Sequence, residues 1–293
     1  MPLLTIFTPT YNRAHILGRL YESLKNQDCS DFAWLIVDDG SDDNTEELVQ
    51  RWQVENKVSI SYHRQENSGK SQAHNKGVEL TQTELFVCVD SDDFLTSDAV
   101  SEIKAIWSNN QESDTGILFG KKSEEQKVTI FPRAELLKES RTTLRDAYDK
   151  YGLRGDTMLV FRTSTIKRFY FPKFDDEKFV PEAYLYDLID QCGSLIVCNK
   201  YLYVCEYLQD GYTNNMARLL ANNPHGYLAF IRQRINFDST FSYIFWDSVR
   251  YISMALVVMS LTQSIKNARY PIIAFLALLP GFILYKIKFQ QYA

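Results

Sequence analysis

The run Leu85-Phe86-Val87-Cys88-Val89-Asp90-Ser91-Asp92-Asp93 sets two constraints at once. Its first five residues are apolar and mostly β-favouring, and three carboxylates follow within four positions. A strand that is apolar throughout, rather than alternating, is covered on both faces, as in a parallel sheet. The carboxylates then emerge together at its C-terminal end. Like charges this close raise one another's cost of ionising, so the cluster calls for a cation, and hard divalent ions prefer oxygen ligands. A solvated acidic turn capping the next helix is the competing reading of this stretch taken alone.

Working outward, strands are expected over Leu3 to Thr8, Ala33 to Val37, Val58 to His63 and Glu84 to Val89. Helices are expected over Ala14 to Gln27, Thr45 to Gln53, Lys70 to Leu80 and Ala99 to Trp107. In the first helix Ile16, Leu17, Leu20, Tyr21 and Leu24 fall at helical spacing. Ser41 or Asp43 would cap the second, and Ser97 or Asp98 the fourth. Alternating β and α units imply an α/β fold, a parallel sheet wound by right-handed crossovers.

Each expected strand ends in a polar cluster: Thr8 to Asn12, Asp38 to Ser41, Asn67 to Lys70, and Asp90 to Asp93. Ligands of open α/β sheets bind beyond the carboxyl ends of strands, so these clusters should line one crevice. No G-x-G-x-x-G follows the first strand and no P-loop is present, which disfavours a dinucleotide fold and excludes a glycine cradle for phosphate. Phosphates would instead be neutralised by a metal on the Asp90–Asp92 group, helped by Lys70. Asp38 or Asp39 would accept from a base N–H, and Tyr11 would stack on the base.

Composition narrows the class. The chain of 293 residues is 45% hydrophobic and carries a net charge of −5, unevenly spread. Residues 211–293 hold eight basic side chains against two acidic ones, leaving 24 basic and 35 acidic in residues 1–210. An acidic body argues against nucleic acid as a partner. Cys29, Cys88, Cys192, Cys198 and Cys205 are odd in number and lack C-x-x-C spacing, which fits reduced thiols in the cytoplasm better than zinc or disulfides. The N-terminus shows no basic n-region or long apolar core, so no signal peptide is expected.

The segments Phe7-Thr8-Pro9-Thr10-Tyr11-Asn12-Arg13, Val37 to Thr45, Asn67-Ser68-Gly69-Lys70 through Asn75-Lys76-Gly77, and Val89 to Asp93 resemble, in order and spacing, the signatures of family-two glycosyltransferases, in members of bacterial polysaccharide assembly. The resemblance is strong over residues 3–110 and weaker to about 210. It implies the GT-A fold, a Rossmann-like, mostly parallel sheet with helices on both faces, and an inverting transfer from a nucleotide sugar, most often UDP-linked. It implies that Thr8, Pro9, Tyr11, Asn12, Asp38 and Asp39 hold the nucleoside, with Lys70, Asp90 and Ser91 completing the donor site. Asp92 would take the divalent cation, Mn²⁺ or Mg²⁺. The expected domains are residues 1–210, with a nucleotide-binding half (1–110) and an acceptor half (111–210), and a helical extension over 211–293.

The middle of the chain is less legible. Short strands are expected over Gly116 to Phe119, Val128 to Phe131, Thr157 to Phe161, Ser194 to Val197 and Tyr201 to Cys205. An acceptor hydroxyl is a poor nucleophile and needs a positioned base. The resembling family places Glu-Asp before an aromatic residue there, whereas Pro181-Glu182-Ala183-Tyr184 has alanine in the second place. Glu182, opening a helix-like stretch to Gln191, is the expected base, with Asp176 and Glu177 as alternatives. His15, His63, His74 and His225 have no partner pattern, and His74 reads as a packed surface residue. The segment Asp210 to Asn215 reads either as a loop closing over the donor or as the exit from the first domain.

Past residue 250, the runs Ile252 to Leu261 and Tyr270 to Tyr285 are strongly apolar but shorter than the ~20 residues that span a bilayer. With Lys266, Arg269, Lys286 and Lys288 beside them, they read as peripheral contact with the inner face of the cell membrane, against a homodimer interface or core packing. The leading function is sugar transfer to a hydroxyl of a glycan or lipid-linked acceptor in surface polysaccharide assembly. The alternatives are a nucleotide-binding partner subunit without catalysis, which the altered base motif keeps open, and a nucleotidyltransferase, which normally shows the glycine-rich loop that Thr8 to Arg13 lacks.

Overall fold

The computed structural model describes residues 1–123, 129, 140–205, 215–238 and 240–292. The chain forms two compact units, one of Met1–Tyr170 with Leu185–Tyr207 and one of Phe171–Tyr184 with Leu208–Ala293. Of the expected elements, the strand Val128 to Phe131, Thr129 aside, and the segment Asp210 to Asn215, Asn215 aside, lie outside the described residues.

The first unit is built on one nine-stranded sheet. Its strands are β1 (Leu4–Thr10), β2 (Phe32–Asp38), β3 (Ile60–Arg64), β4 (Leu85–Cys88), β5 (Phe94–Leu95), β6 (Asp114–Ser123), β7 (Arg141–Thr142), β8 (Thr157–Arg162) and β9 (Ser194–Cys205). The order is β3-β2-β1-β4-β8-β6-β9-β5, with β7 on β9. The half that carries the polar clusters, β3-β2-β1-β4, is parallel throughout, as is the long β6–β9 ladder. Antiparallel joins at β4–β8, β8–β6, β9–β5 and β9–β7 complete it. The α/β expectation with a largely parallel sheet is borne out.

The apolar run in β4 is explained by cover on both faces. Leu85 and Val87 point with Leu4, Ile6, Trp34 and Ile36 into a core closed by α1 (Leu17–Lys25), α2 (Thr45–Glu55) and α4 (Ala99–Trp107). Phe86 and Phe7 point the other way, stacked at 5.4 Å, and His74 of α3 (Lys70–Leu80) sits edge-on to both. Successive strand side chains face opposite ways, so only an uninterrupted apolar sequence satisfies both layers. Helices α3 and α4 have the expected bounds. The first helix opens at Leu17 instead of Ala14, because the Ala14 N–H is taken by Asp43 Oδ2 at 3.0 Å and residues 12–16 serve the loop. The expected strands Ser194 to Val197 and Tyr201 to Cys205 are one strand, β9, with register shifts opposite Phe119–Lys121.

Within the same unit lie α5 (Leu144–Asp149) and α6 (Thr163–Ile166), and the division between units falls inside α7 (Ala183–Ile189). The helices of the second unit among the described residues are α8 (Met216–Ala221), α9 (Pro224–Phe237), α10 (Phe241–Val258), α11 (Leu261–Lys266), α12 (Pro271–Leu276) and α13 (Leu278–Lys288), and its segment from Phe171 carries a β-bridge between Phe174 and Glu177. Its core joins Leu228, Ile231 and Ile235 of α9 to Tyr251, Ile252 and Met254 of α10. Among the described residues no helix is long and apolar enough to cross a membrane.

Gly77 marks the closest approach of α3 to the sheet. A Cβ there would lie 2.4 Å from Phe7 Cε2, and Phe7 is held between Phe86 and His74 and cannot swing away. Gly77→Ala is expected to destabilise the chain by about 2 kcal/mol, the usual cost of overpacking a closed core. Urea unfolding checks this, and an unchanged midpoint would refute it.

Candidate functional site

The four polar clusters meet at one rim of the parallel half-sheet and are tied to each other in sequence order. Between the first and second loops, Asp39 N–H donates to the Thr10 carbonyl at 2.8 Å, and Asn12 N–H donates to Ser41 Oγ at 2.8 Å. Asn12 Oδ1 in turn accepts from the Asp42 N–H at 2.8 Å. Asn12 adopts a left-handed backbone, φ 54°, which asparagine tolerates better than most residues.

Asp39 joins the second loop to the third. Its Oδ1 accepts from Gln65 Nε2 at 2.8 Å and from the Ser68 N–H at 2.9 Å, and its Oδ2 from the Gly69 N–H at 2.7 Å. Gly69, at φ 90°, precedes α3, so the carboxylate sits against the start of that helix, where the macrodipole favours it. Asp38, fully buried, closes its own turn by accepting from the Ser41 N–H at 2.8 Å and takes the Tyr62 hydroxyl at 2.5 Å. Burial, then that bond to Asp38, pushes the Tyr62 phenol far above its ordinary range. These buried carboxylates shape the loops.

The third loop reaches the fourth through charge. Lys70 Nζ pairs with Asp90 Oδ1 at 2.7 Å. The Asp90 N–H donates to the Tyr203 hydroxyl at 3.0 Å, and that hydroxyl donates to Asp93 Oδ2 at 2.6 Å. Tyr203 is buried, with Lys121 Nζ 3.8 Å from its ring centroid, and burial foremost holds its phenol well above the ordinary value. Asp92 lies half-buried between these groups. Burial first, and then the Asp90 charge, raise its pKa, while its own backbone N–H, Arg13 and Lys70 pull the other way.

Of the expected donor-site residues, Tyr11 is 45% exposed at the rim and able to stack on a ligand. Ser91 is buried within the fourth loop. Thr8 and Pro9 lie inside the sheet: Thr8 is fully buried, its hydroxyl accepting from Trp34 Nε1 at 3.0 Å, and Pro9 is in register with Val37. His74 is buried between α3 and β1, so it is a core residue and not a surface one. Among the described residues no group of three or more His, Cys, Asp or Glu side chains is placed to hold a metal. A carboxylate pair is nevertheless the set that fits Mg²⁺ or Mn²⁺ when phosphates and water supply the other oxygens. Asp92, with its raised pKa beside a second carboxylate, is a residue whose charge such an ion would relieve.

The sequence model of Glycosyl transferase family 2 matches residues 5–169, more than half of the chain and every loop of the rim. The chain belongs to glycosyl transferase family 2. A Campylobacter jejuni GalNAc(5)-diNAcBac-PP-undecaprenol beta-1,3-glucosyltransferase is 28% identical over 192 residues, covering 64% of this chain and 59% of that protein. Streptococcus pneumoniae glycosyltransferase GlyG is 27% identical over 118 residues, covering 40% of this chain and 38% of its own length. The chain thus spans less than two thirds of these curated relatives. The fold matches S. aureus TarS in complex with UDP-GlcNAc at a TM-score of 0.63 and 17% identity, covering 100% of this chain and 91% of that one. A Pyrobaculum calidifontis mannosyltransferase in complex with GDP-Man and Mn²⁺ matches at 0.58 and 18% identity, over 99% of this chain and 83% of that one. The fold is GT-A.

In this family-2 chain the candidate bases fall in the second unit. Glu182 is exposed immediately before α7. Glu177 is occupied otherwise: its Oε1 accepts from the His225 N–H at 2.8 Å and contacts His225 Nδ1 at 2.7 Å, and its Oε2 accepts from the Gly226 N–H at 2.8 Å. It therefore caps the N-terminus of α9, whose first N–H groups would otherwise lack acceptors. Asp176 occupies a left-handed turn, φ 62°. Arg13, Tyr62, Gln65 and Tyr203 are the site residues that motif reading passed over. Arg13 lay within a quoted motif, whereas Tyr203 carries no local signal, being 113 positions from the Asp90 it supports.

A carboxyl whose folded pKa exceeds its unfolded one holds its proton more tightly in the fold. The resulting cost to stability is present in full above the folded pKa, shrinks as the pH falls below that value and is gone below the unfolded one. In the absence of divalent ions, Asp92→Asn is therefore expected to raise the thermal midpoint at neutral pH, with the difference closing on acidification. A variant melting below the parent at neutral pH would overturn this assignment.

Proposed function

We propose that the protein transfers a sugar from a nucleotide-sugar donor, UDP-linked, to a hydroxyl of a glycan or lipid-linked acceptor in surface polysaccharide assembly, with inversion at the anomeric carbon. The observation that carries this reading is the gathering of Asp90, Asp92, Lys70 and Arg13 at the rim that Asp38 and Asp39 organise, in a chain of family 2. The UDP-GlcNAc complex of TarS supports the choice of UDP, and the name of the Campylobacter relative supports a lipid-linked acceptor.

The roles follow from chemistry. The loops of Asn12 and Asp38–Ser41 receive the nucleoside, with Tyr11 offering a face for the base. Lys70 and Arg13 offset the negative charge that the diphosphate accumulates as it departs. A divalent cation, Mn²⁺ or Mg²⁺, would be held by Asp92 beside Asp90, and when bound it supplies further charge neutralisation to the leaving diphosphate. Glu182 accepts the proton of the acceptor hydroxyl as its oxygen attacks the anomeric carbon and the bond to the diphosphate breaks. Ala183, where the family has Asp, leaves Glu182 as the acid of that motif.

Thermal-shift titration with UDP-sugars, with and without Mn²⁺, tests donor binding. A donor at a hundred times its dissociation constant is expected to add about 2.7 kcal/mol of stability. No shift with any nucleotide sugar would defeat the proposal. For the base, Glu182→Gln should lower transfer by about 10²–10⁴-fold while leaving the donor-induced shift intact. Undiminished transfer would return the role to Asp176 or another group, and a parent that binds donor but transfers nothing would favour the partner-subunit reading.

A further inference from the structure

In the second unit α12 and α13 run as one nearly continuous helix, joined at Ala277, whose φ −80° and ψ −4° stay close to helical. Its burial is the reverse of what a water-facing helix shows. The side packed inward carries small residues: Ala274, Ala277 and Gly281 are buried. Gly281 lies so near α10 that a Cβ there would meet Ile252 Cγ2 at 2.7 Å. The outward side carries large ones: Ile272 (79% exposed), Leu279 (71%), Ile287 (71%), Phe275, Leu276 and Ile283. They recur every three or four residues and form one stripe along the helix.

Elsewhere, exposed large apolar side chains are sparse. Among the described residues only Met1, Tyr11, Val54 and Tyr170 lie outside positions 216–292. A contiguous apolar face of this kind marks contact with another surface. What that surface is follows from charge. After Asp247 the chain has no acidic residue, yet it carries Arg250, Lys266, Arg269, Lys286 and Lys288. A groove of about 670 Å³ beside the stripe shares Ile283 and Ile287 with it and has Arg250 and Lys288 in its lining. Arg250 is answered by Asp247 at 2.7 Å, but no acidic residue accompanies Lys266, Arg269, Lys286 and Lys288 in the sequence after it, so a second copy of the same face would set cation against cation. At 1.5 Å per residue the stretch from Pro271 to Lys288 extends about 27 Å, just short of the roughly 30 Å hydrocarbon thickness of a bilayer, and its inner face is packed on α10, so the helix lies along a membrane surface.

We infer that the outward face of α12–α13 docks on an anionic lipid bilayer, its apolar stripe entering the headgroup–acyl boundary and its lysines and arginines meeting lipid phosphates. The face is folded before contact, since its inner side is already packed on α10, so docking needs no coil-to-helix ordering. This goes beyond the transfer reaction and holds or fails independently of it.

The test uses the full chain and vesicle sedimentation, with phosphatidylcholine alone and with phosphatidylcholine mixed with phosphatidylglycerol. Sedimentation is expected with the anionic vesicles and weakened by high salt. The double variant Lys286→Gln/Lys288→Gln should bind them about thirtyfold more weakly. The triple variant Ile272→Ser/Leu279→Ser/Ile287→Ser should lose at least about a hundredfold, and its circular dichroism should match the parent because all three side chains are exposed. A parent that stays in the supernatant with both vesicle types overturns the inference, as does a triple variant that sediments like the parent. A parent dimer that the triple variant converts to monomer, with vesicle binding unaltered, would assign the face to a second copy instead.

Discussion

A single buried carboxylate holds the rim in register. Asp39 sits at the end of β2 and accepts three N–H groups from the loop that leads into α3. Hydrogen bonds to a charged acceptor contribute about 1.5–3 kcal/mol each, and leaving such a carboxylate unpartnered in the interior would cost more than any one of them. Because the same residue also donates its backbone N–H to the Thr10 carbonyl, the first, second and third loops share one anchor. The position of Lys70, and so its pairing with Asp90, depends on that anchor.

The fold was legible where each residue had to satisfy two neighbours at once. The unbroken apolar run in β4 admits cover on both faces and little else, and the strand-loop-helix spacing around it places α3 and α4 to the residue. The rim was legible for the same reason, since polar clusters at successive strand ends can meet only along one edge. What escaped was set by partners distant in sequence. Nothing near Tyr203 announces that its hydroxyl bridges Asp90 and Asp93, and nothing near Thr8 announces the Trp34 indole that claims its oxygen. The internal partners of Asp38 and Asp39 escaped as well, because an acidic turn looks alike whether its oxygens face inward or outward. The cap that Glu177 forms on α9 was equally hidden, since His225 and Gly226 lie 48 and 49 positions away.

The two units divide the chemistry. The first concentrates charge: its acidic loops carry their own cations, Lys70 and Arg13. The second concentrates apolar surface and positive charge in a stretch free of carboxylates. The charge-rich rim and the apolar, cationic helices thus occupy separate parts of the chain.

The left-handed backbone of Asn12 carries a further consequence. Its peptide N–H and its side-chain oxygen are both spent on Ser41 and Asp42, so the wall they form is rigid before any molecule arrives. Most of the entropy of ordering that wall is lost once, during folding, rather than at each encounter. The demand on position 12 is correspondingly narrow: glycine would keep the curvature but drop the amide bridge, aspartate would keep both, and a β-branched residue would keep neither.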